Sequence, residues 1–192
     1  MKKLVFASHN LHKLEEIKSI IKGFEVVGLS EIGCTEDIVE DSLTLRENAQ
    51  IKADYVLKKF NFDCFADDTG LEVEALNGAP GVYTARFAGE GCSYRDNVEK
   101  MLRVMTGVKN RKARFRTVIC LNMDGQRYFF EGSVDGVITT EIHGDAGFGY
   151  DPIFRPEGYN ETFAEMASDV KNKISHRGMA TRKLVDFLNG VK

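Results

Sequence analysis

The chain has 192 residues, of which 43% are hydrophobic and 29% are charged. These proportions are ordinary for a globular protein, and they exclude the disordered and fibrous classes. The formal net charge of −3, from 26 basic and 29 acidic residues, carries no signature of extended nucleic-acid binding. We therefore expect a single domain over residues 1–192 with no nucleic-acid partner, in which any recognition of phosphate is local.

Four cysteines are spread along the chain, at positions 34, 64, 92 and 120. None falls in a closely spaced pair, which argues against a zinc ribbon or a redox dithiol. The apolar run near the N-terminus is too short for a signal peptide, and no segment approaches the roughly 20 apolar residues of a membrane span. These features predict a soluble cytoplasmic protein with no membrane partner.

The first predicted elements are a buried strand over residues 4–7, a polar turn over residues 8–10 and a helix with apolar positions at Leu14, Ile17 and Ile21. Lys13 lies just inside this helix, whose positive end is a natural seat for phosphate. The alternative is a solvated lysine on an amphipathic helix.

A second strand is predicted over residues 26–29. Thr44 and Glu47 then match a capping box at the start of a longer helix. The apolar residues of this helix lie on one stripe, whereas Asn48, Lys52 and Tyr55 fall on another face. That second face could look into a cleft or into solvent.

Two adjacent carboxylates, Asp67 and Asp68, follow a predicted strand over residues 63–66. We expect them at the C-terminal end of this strand, where open α/β sheets bind ligands. Carboxylates beside a Gly turn suit a hard cation. Because neighbouring side chains on a strand point in opposite directions, at most one of the two would face the metal. For Asp67, a second metal contact and a supporting role both remain open.

The second half of the chain begins with a helix that Ser93 and Asp96 cap, whose methionines are expected in the core. Apolar alternation over residues 115–123 and the turn signal at Asp124 and Gly125 predict a β-hairpin. Residues 147–152 are too rich in glycine for a regular element, and Ser175 can cap a last helix.

Five clusters of polar, charged or aromatic residues are not explained by the predicted caps, turns and core. They are residues 8–13, Glu40 with Lys52, residues 67–69, residues 148–151, and Lys171 with His176 and Arg177. Together they supply carboxylates for Mg²⁺, cationic groups for phosphates and an aromatic–acidic loop for a flat polar group. Mg²⁺ is normally held by one or two carboxylates together with substrate phosphates. A nucleoside triphosphate fits this combination.

The amino-acid sequences of these clusters and their order along the chain resemble those of the inosine triphosphate pyrophosphatase family. These Ham1-like enzymes hydrolyse non-canonical purine nucleoside triphosphates. The resemblance covers nearly the full length, through SHNLHK (8–13), EDSLTLRENAQIKA (40–53), ADDTGLEVEALNGAPGVYTARFAG (66–89), FEGSVDG (130–136), GFGYDPIF (147–154), FAEM (163–166) and KNKISHRGMA (171–180).

This resemblance implies an α/β fold: a long, twisted, mixed central β-sheet flanked by helices, in two lobes with the substrate cleft between them. It also implies a homodimer and a Mg²⁺-dependent hydrolysis of XTP, ITP and dITP to the nucleoside monophosphate and pyrophosphate. The matched positions imply that Asp68 is catalytic and that Glu40 and Asp68 bind the metal.

The substrate-binding residues that the resemblance implies are Ser8, His9, Asn10, Leu11, His12, Lys13, Lys52, Thr69, Phe148, Gly149, Tyr150, Asp151, Lys171, His176 and Arg177. The lysines are expected at the phosphates, Phe148 against the base, and His176 with Arg177 at the purine edge. His9 is a departure, since the family often has Gly at this position.

Two other classes of function remain as alternatives. A nucleotide sensor could use the same pocket, although it would have no need of a metal-held water. A phosphatase or nucleotide kinase of α/β type is the third reading, and the absence of a GxxxxGK[ST] loop weakens its kinase version.

Overall fold

The computed structural model describes residues 2–190. In this range the chain forms strands and α-helices in the following order: β1 (Lys2–Phe6), α1 (Leu11–Ile20), β2 (Phe24–Gly28), α2 (Leu45–Phe60), β3 (Cys64–Val73), β4 (Pro80–Gly81), α3 (Tyr94–Val104), β5 (Lys112–Met123), β6 (Gln126–Ile138), β7 (Phe154–Pro156), α4 (Ser168–Ile174) and α5 (His176–Gly190). No helix among these residues is long and apolar enough to cross a membrane.

The strands form one mixed sheet in the order β2-β1-β3-β5-β6-β7, and β4 pairs with β3. β1 runs parallel to both β2 and β3, whereas β3 with β4 and β6 with β7 are antiparallel pairs. The parallel strands are joined by helices, as a parallel connection requires. The α/β class with a mixed central sheet is therefore confirmed.

The chain divides into two compact units. Unit 1 comprises Met1–Asp68, Thr117–Gly132 and Arg177–Lys192, and unit 2 comprises Thr69–Arg116 and Ser133–His176. The number of units agrees with the two lobes that the resemblance implies. The position of the substrate, and the assignment of residues 1–192 to a single domain, stay predictions.

The core of unit 1 forms where α1 and α5 bury their apolar stripes. Ile17 of α1 is fully buried in the same cluster as Phe6 and Phe65, whose rings stack with centroids 4.9 Å apart. The apolar periodicity of the first helix predicted the burial of Ile17, because residues three or four positions apart share one helix face.

The core of unit 2 is rich in aromatic rings and methionines. Phe115 packs edge-on against Phe154, with ring centroids 4.7 Å apart. Met101 and Met105, at the end of α3, are fully buried in the same cluster. The prediction that these methionines fill the core is confirmed, and Ser93 and Asp96 form the predicted capping box.

The predicted hairpin is present and longer than expected. Asp124 and Gly125 have φ angles of 51° and 75°, the positive values that a tight two-residue hairpin turn requires. β5 begins earlier than predicted, at Lys112, and β6 continues to Ile138, where it pairs with β7.

The predicted end of the strand before Asp67 and Asp68 is wrong. β3 runs on to Val73, so both carboxylates lie inside the strand. Its parallel pairing with β1 stops at Phe65, but β4 pairs with it from Leu71 and keeps the backbone extended. The two aspartates still lie beyond the C-terminal end of β1, the edge at which a ligand was expected.

Candidate active site

The first loop of the chain is held by its own polar side chains. Asn10 caps α1, and its side-chain oxygen accepts a hydrogen bond from the backbone N–H of Lys13 at 3.1 Å. Ser8 Oγ in turn accepts from the backbone N–H of Asn10 at 3.1 Å. The His9 ring contacts the carbonyl oxygen of Glu36 at 3.1 Å. The loop therefore has a defined geometry at the positive end of α1.

The first two residues of α1 have exposed side chains. Leu11 is 70% exposed, and His12 is exposed as well. Their predicted contacts with a substrate stay predictions.

Asp67 is bound by two cationic side chains of unit 1. Lys13 Nζ donates to its Oδ1 at 3.0 Å, and Arg177 Nε donates to its Oδ2 at 3.2 Å. Burial raises the pKa of Asp67, but the charges of Lys13, Arg177 and Lys52 more than offset this and hold the pKa well below its ordinary value. In the structure the Asp67 carboxylate thus contacts two cationic side chains, as the supporting role would require, and the alternative of a second metal contact stays open.

Lys52 lies among the carboxylates that were predicted to bind the metal. Its Nζ is 2.8 Å from Glu40 Oε2 and 3.8 Å from Asp68 Oδ1. Asn48, one turn earlier on α2, accepts from the backbone N–H of Ser42 at 3.0 Å and so anchors the loop that carries Glu40. Lys52 and Asn48 are both buried, so this face of α2 looks into the protein.

The pKa of Asp68 is shifted by burial and by its charged neighbours. Burial raises its pKa, Lys52 lowers it, and the nearby Glu40 carboxylate raises it again, with the net result of a pKa of about 6. A carboxyl group that titrates near neutral pH suits a proton acceptor. The repulsion between Asp68 and Glu40 would also be relieved by a cation bound to both.

The donor set fits a hard divalent cation. No group of three or more His, Cys, Asp or Glu side chains that could hold a metal exists among residues 2–190. A protein cage of the kind that Zn²⁺ needs is therefore absent from these residues. Two carboxylates can still hold Mg²⁺ when water and substrate oxygens complete its shell. Glu40 and Asp68 are such a pair.

In unit 2, the segment over residues 147–151 wraps around the buried Asp151 carboxylate. Asp151 Oδ2 accepts from the backbone N–H of Phe148 and from Lys171 Nζ, both at 2.8 Å. Lys171 also lies 4.9 Å from the centre of the Phe148 ring. A Cβ atom at Gly147 would collide with Asp151 Oδ2, and the backbone there has a positive φ, so this position favours glycine.

Tyr150 and His176 are buried among other groups of unit 2. The Tyr150 hydroxyl donates to the carbonyl oxygen of Thr84 at 2.8 Å, and burial raises the pKa of this tyrosine. The His176 ring stacks on Phe115 with centroids 4.5 Å apart and an interplanar angle of 12°. Both side chains therefore pack within unit 2, and His176 packs against its aromatic core.

The structure assigns two adjacent predicted residues to different units and shows contacts of residues that sequence reasoning missed. Arg177 follows His176 directly but belongs to unit 1, where it contacts Asp67 and Glu16. Glu16 was not predicted, although its position three residues after Lys13 on a helix was a usable signal. Tyr94 was also missed, and its ring centroid lies 5.9 Å from that of Phe148.

Fold and site together define an α/β protein with a candidate site for a divalent cation and an anionic ligand. The chain belongs to the Ham1 family, whose model matches residues 4–187.

Similar proteins cover almost the whole chain. It is 51% identical to a dITP/XTP pyrophosphatase of Flavobacterium johnsoniae, over 99% of this chain and 100% of the relative. It is 54% identical to a dITP/XTP pyrophosphatase of Porphyromonas gingivalis, over 98% of each. Among solved structures, the Ham1 protein of Staphylococcus aureus is 41% identical, with a TM-score of 0.90 and full coverage of both chains.

Proposed function

We propose that this protein is an enzyme that hydrolyses non-canonical purine nucleoside triphosphates. Its substrates are dITP, XTP and ITP, and its products are the nucleoside monophosphate and pyrophosphate. The observation that carries the proposal is the pair of carboxylates, Glu40 and Asp68, around the buried Lys52 in a chain of the Ham1 family. Removal of these nucleotides from the pool is the role that this activity serves.

The proposed cofactor is Mg²⁺, and Glu40 with Asp68 would hold it. When bound, Mg²⁺ supplies charge stabilisation at the phosphate oxygens and makes a bound water more acidic. Asp68 accepts the proton of the water that attacks the α-phosphorus. The bond from the α-phosphorus to the bridging oxygen breaks, and pyrophosphate leaves with the electron pair. Lys52 offsets the negative charge that develops.

The triphosphate is proposed to bind the first loop and the lysines of unit 1. The backbone N–H groups at the start of α1 and the ammonium group of Lys13 suit phosphate oxygens. Lys171 and Thr69 are further proposed phosphate or substrate contacts, although Lys171 already binds Asp151 at 2.8 Å. The complete proposed set is Ser8, His9, Asn10, Leu11, His12, Lys13, Lys52, Thr69 and Lys171.

The base is proposed to bind the segment over residues 147–151 and His176, and the resemblance to the family adds Arg177 at the purine edge. The ring of Phe148 offers a face for stacking. A 6-oxo purine presents an acceptor to donor groups of the protein, whereas the 6-amino group of adenine would leave buried donors unpaired. Such a mismatch can separate substrates by several kcal/mol, on the order of hydrogen-bond readout in other enzymes.

A nucleotide panel tests the proposal. Purified protein with Mg²⁺ is incubated with dITP, XTP, ITP, dATP and dGTP, and pyrophosphate and orthophosphate are measured separately. We expect pyrophosphate from the first three nucleotides and little from dATP, whereas dGTP, which shares the 6-oxo group, measures the effect of a 2-amino group on turnover. Release of orthophosphate alone would contradict the proposal, and tight binding without turnover would favour a nucleotide sensor. The proposed homodimer is tested by light scattering, and the cytoplasmic location stays a prediction.

A further inference from the structure

Four charged side chains of unit 1 form a continuous series of contacts. Lys13 Nζ lies 3.0 Å from Asp67 Oδ1, and Arg177 Nε lies 3.2 Å from the other carboxylate oxygen of Asp67. A terminal nitrogen of Arg177, Nη1, lies 2.7 Å from Glu16 Oε2. The signs of the charges alternate along the series, so each charge has an opposite neighbour.

This series joins three separate elements. Lys13 and Glu16 lie three residues apart on α1, which places them on adjacent turns of one helix face. Asp67 lies on β3, and Arg177 is the second residue of α5. Because Arg177 contacts both α1 and β3, it links the two elements that determine where the Lys13 ammonium group lies.

The inner members of the series are shielded from water. The side chains of Asp67 and Arg177 are 0% and 3% exposed, whereas those of Glu16 and Lys13 are 15% and 16% exposed. Burial lowers the pKa of Arg177, but the charges of Asp67 and Glu16 outweigh it and raise the pKa overall. Contacts with two carboxylates restrict the position of a buried guanidinium group. The rigid guanidinium group in turn orients the carboxylates that it binds.

We propose that Arg177 and Glu16 are positioning residues that orient Lys13 towards the substrate through Asp67. The proposal rests on the proposed function, in which Lys13 binds the triphosphate. A lysine has four rotatable bonds, so holding its ammonium group in one place reduces the entropy lost on binding. Loss of Glu16 loosens Arg177, then Asp67, and finally Lys13. The resemblance to the family instead implies that Arg177 reads the purine edge, and the two roles predict different kinetics.

A double-mutant cycle on Lys13 and Glu16 separates these roles. Wild type, Glu16→Gln, Lys13→Ala and the double variant are assayed for pyrophosphate release from dITP and dATP. Glu16→Gln is expected to raise the KM for dITP about fivefold, the size of effect that coupled neighbouring groups produce. In the Lys13→Ala background the same change is expected to have no further effect on KM, because the lysine that it positions is gone.

The preference for the base supplies the second readout. The ratio of kcat/KM for dITP over dATP is expected to stay at its wild-type value in Glu16→Gln, because the series contacts no base in the positioning role. Glu15→Gln is the matched control, since Glu15 is an exposed neighbour on the same helix. If Glu16→Gln does not fold, Arg177→Lys replaces it in the cycle, because it keeps the charge but loses the two-sided contact.

The measured KM values and base preference distinguish the positioning role from its alternatives. An unchanged KM in Glu16→Gln, or an undiminished effect in the Lys13→Ala background, would overturn the positioning role. A changed base preference would overturn it in favour of reading the purine edge. If the wild-type protein released no pyrophosphate from dITP, the proposed function would fail and this inference with it. An active wild type with an unaffected Glu16→Gln would contradict the inference alone.

Discussion

Lys52 Nζ lies 3.8 Å from Asp68 Oδ1, and the two side chains are only 9% and 11% exposed. The lysine lowers the pKa of Asp68, but burial and the Glu40 carboxylate raise it more, to about 6. The charged form of Asp68 is therefore disfavoured in the metal-free protein. A buried carboxylate whose charged form is disfavoured lowers stability, a cost that is common at functional sites.

The first prediction concerns stability. Asp68→Asn should stabilise the metal-free protein by on the order of 1–3 kcal/mol at pH 8, because it removes a carboxylate whose pKa is raised on folding. The cost of that charge is fully present above the folded pKa of about 6 and vanishes below the ordinary value near 4. The gain should therefore disappear as the pH falls to about 4.

Thermal unfolding with EDTA at pH 8 and at pH 4 measures this gain. Asp37→Asn, at an exposed position of the same unit, is the control and should change little at either pH. Equal stabilisation at both values of pH would contradict the raised pKa. The same Asp68→Asn variant should lose nearly all turnover, since it removes the carboxylate that we propose as the proton acceptor.

The second prediction concerns the coupling between protons and Mg²⁺. Below about pH 6 the carboxyl group of Asp68 is increasingly protonated, so protons would compete with the cation for the oxygens that we propose as its ligands. Activity at a limiting Mg²⁺ concentration should therefore fall between pH 7 and pH 5. Raising the Mg²⁺ concentration tenfold should move this acidic limb to lower pH. An acidic limb that does not respond to Mg²⁺ would show that the competing group is not a metal ligand.

A third prediction concerns the buried pair of unit 2. Asp151→Ala should destabilise the protein by about 3–5 kcal/mol, because it leaves the ammonium group of the buried Lys171 without its 2.8 Å carboxylate contact. Denaturant unfolding measures the loss. Asp145→Ala, an exposed acidic residue just before the same segment, should cost less than about 0.5 kcal/mol. Similar losses in both variants would contradict a special role for the pair.

The fourth prediction compares two glycines that share a left-handed backbone. Gly147 and Gly149 have φ angles of 75° and 62°, so alanine at either position is strained by about 1 kcal/mol. At Gly147 the new Cβ would also collide with Asp151 Oδ2, whereas at Gly149 it would meet no atom within 4 Å. Gly147→Ala should therefore lower the melting temperature clearly more than Gly149→Ala. Equal effects would mean that the carboxylate moves away without cost.

Sequence patterns predicted the local structure because their causes are local. The cap at Ser93, the hairpin turn at Asp124 and Gly125, and the apolar stripe of α1 each depend on residues a few positions apart. The motif set predicted the family, and the family is confirmed. The end of the strand before Asp67 could not be predicted from residues 63–66, because it depends on pairing with β4 further along the chain.

Sequence by itself determined which residues carry charge and which short segments bend, cap or alternate. Tertiary structure alone decided which charges meet. Asp67 was ambiguous as one of two adjacent carboxylates, until Lys13 and Arg177, from positions 54 residues before it and 110 residues after it, met its two oxygens. Electrostatic contact depends on distance in space, and no spacing along the chain encodes that distance for residues on different elements.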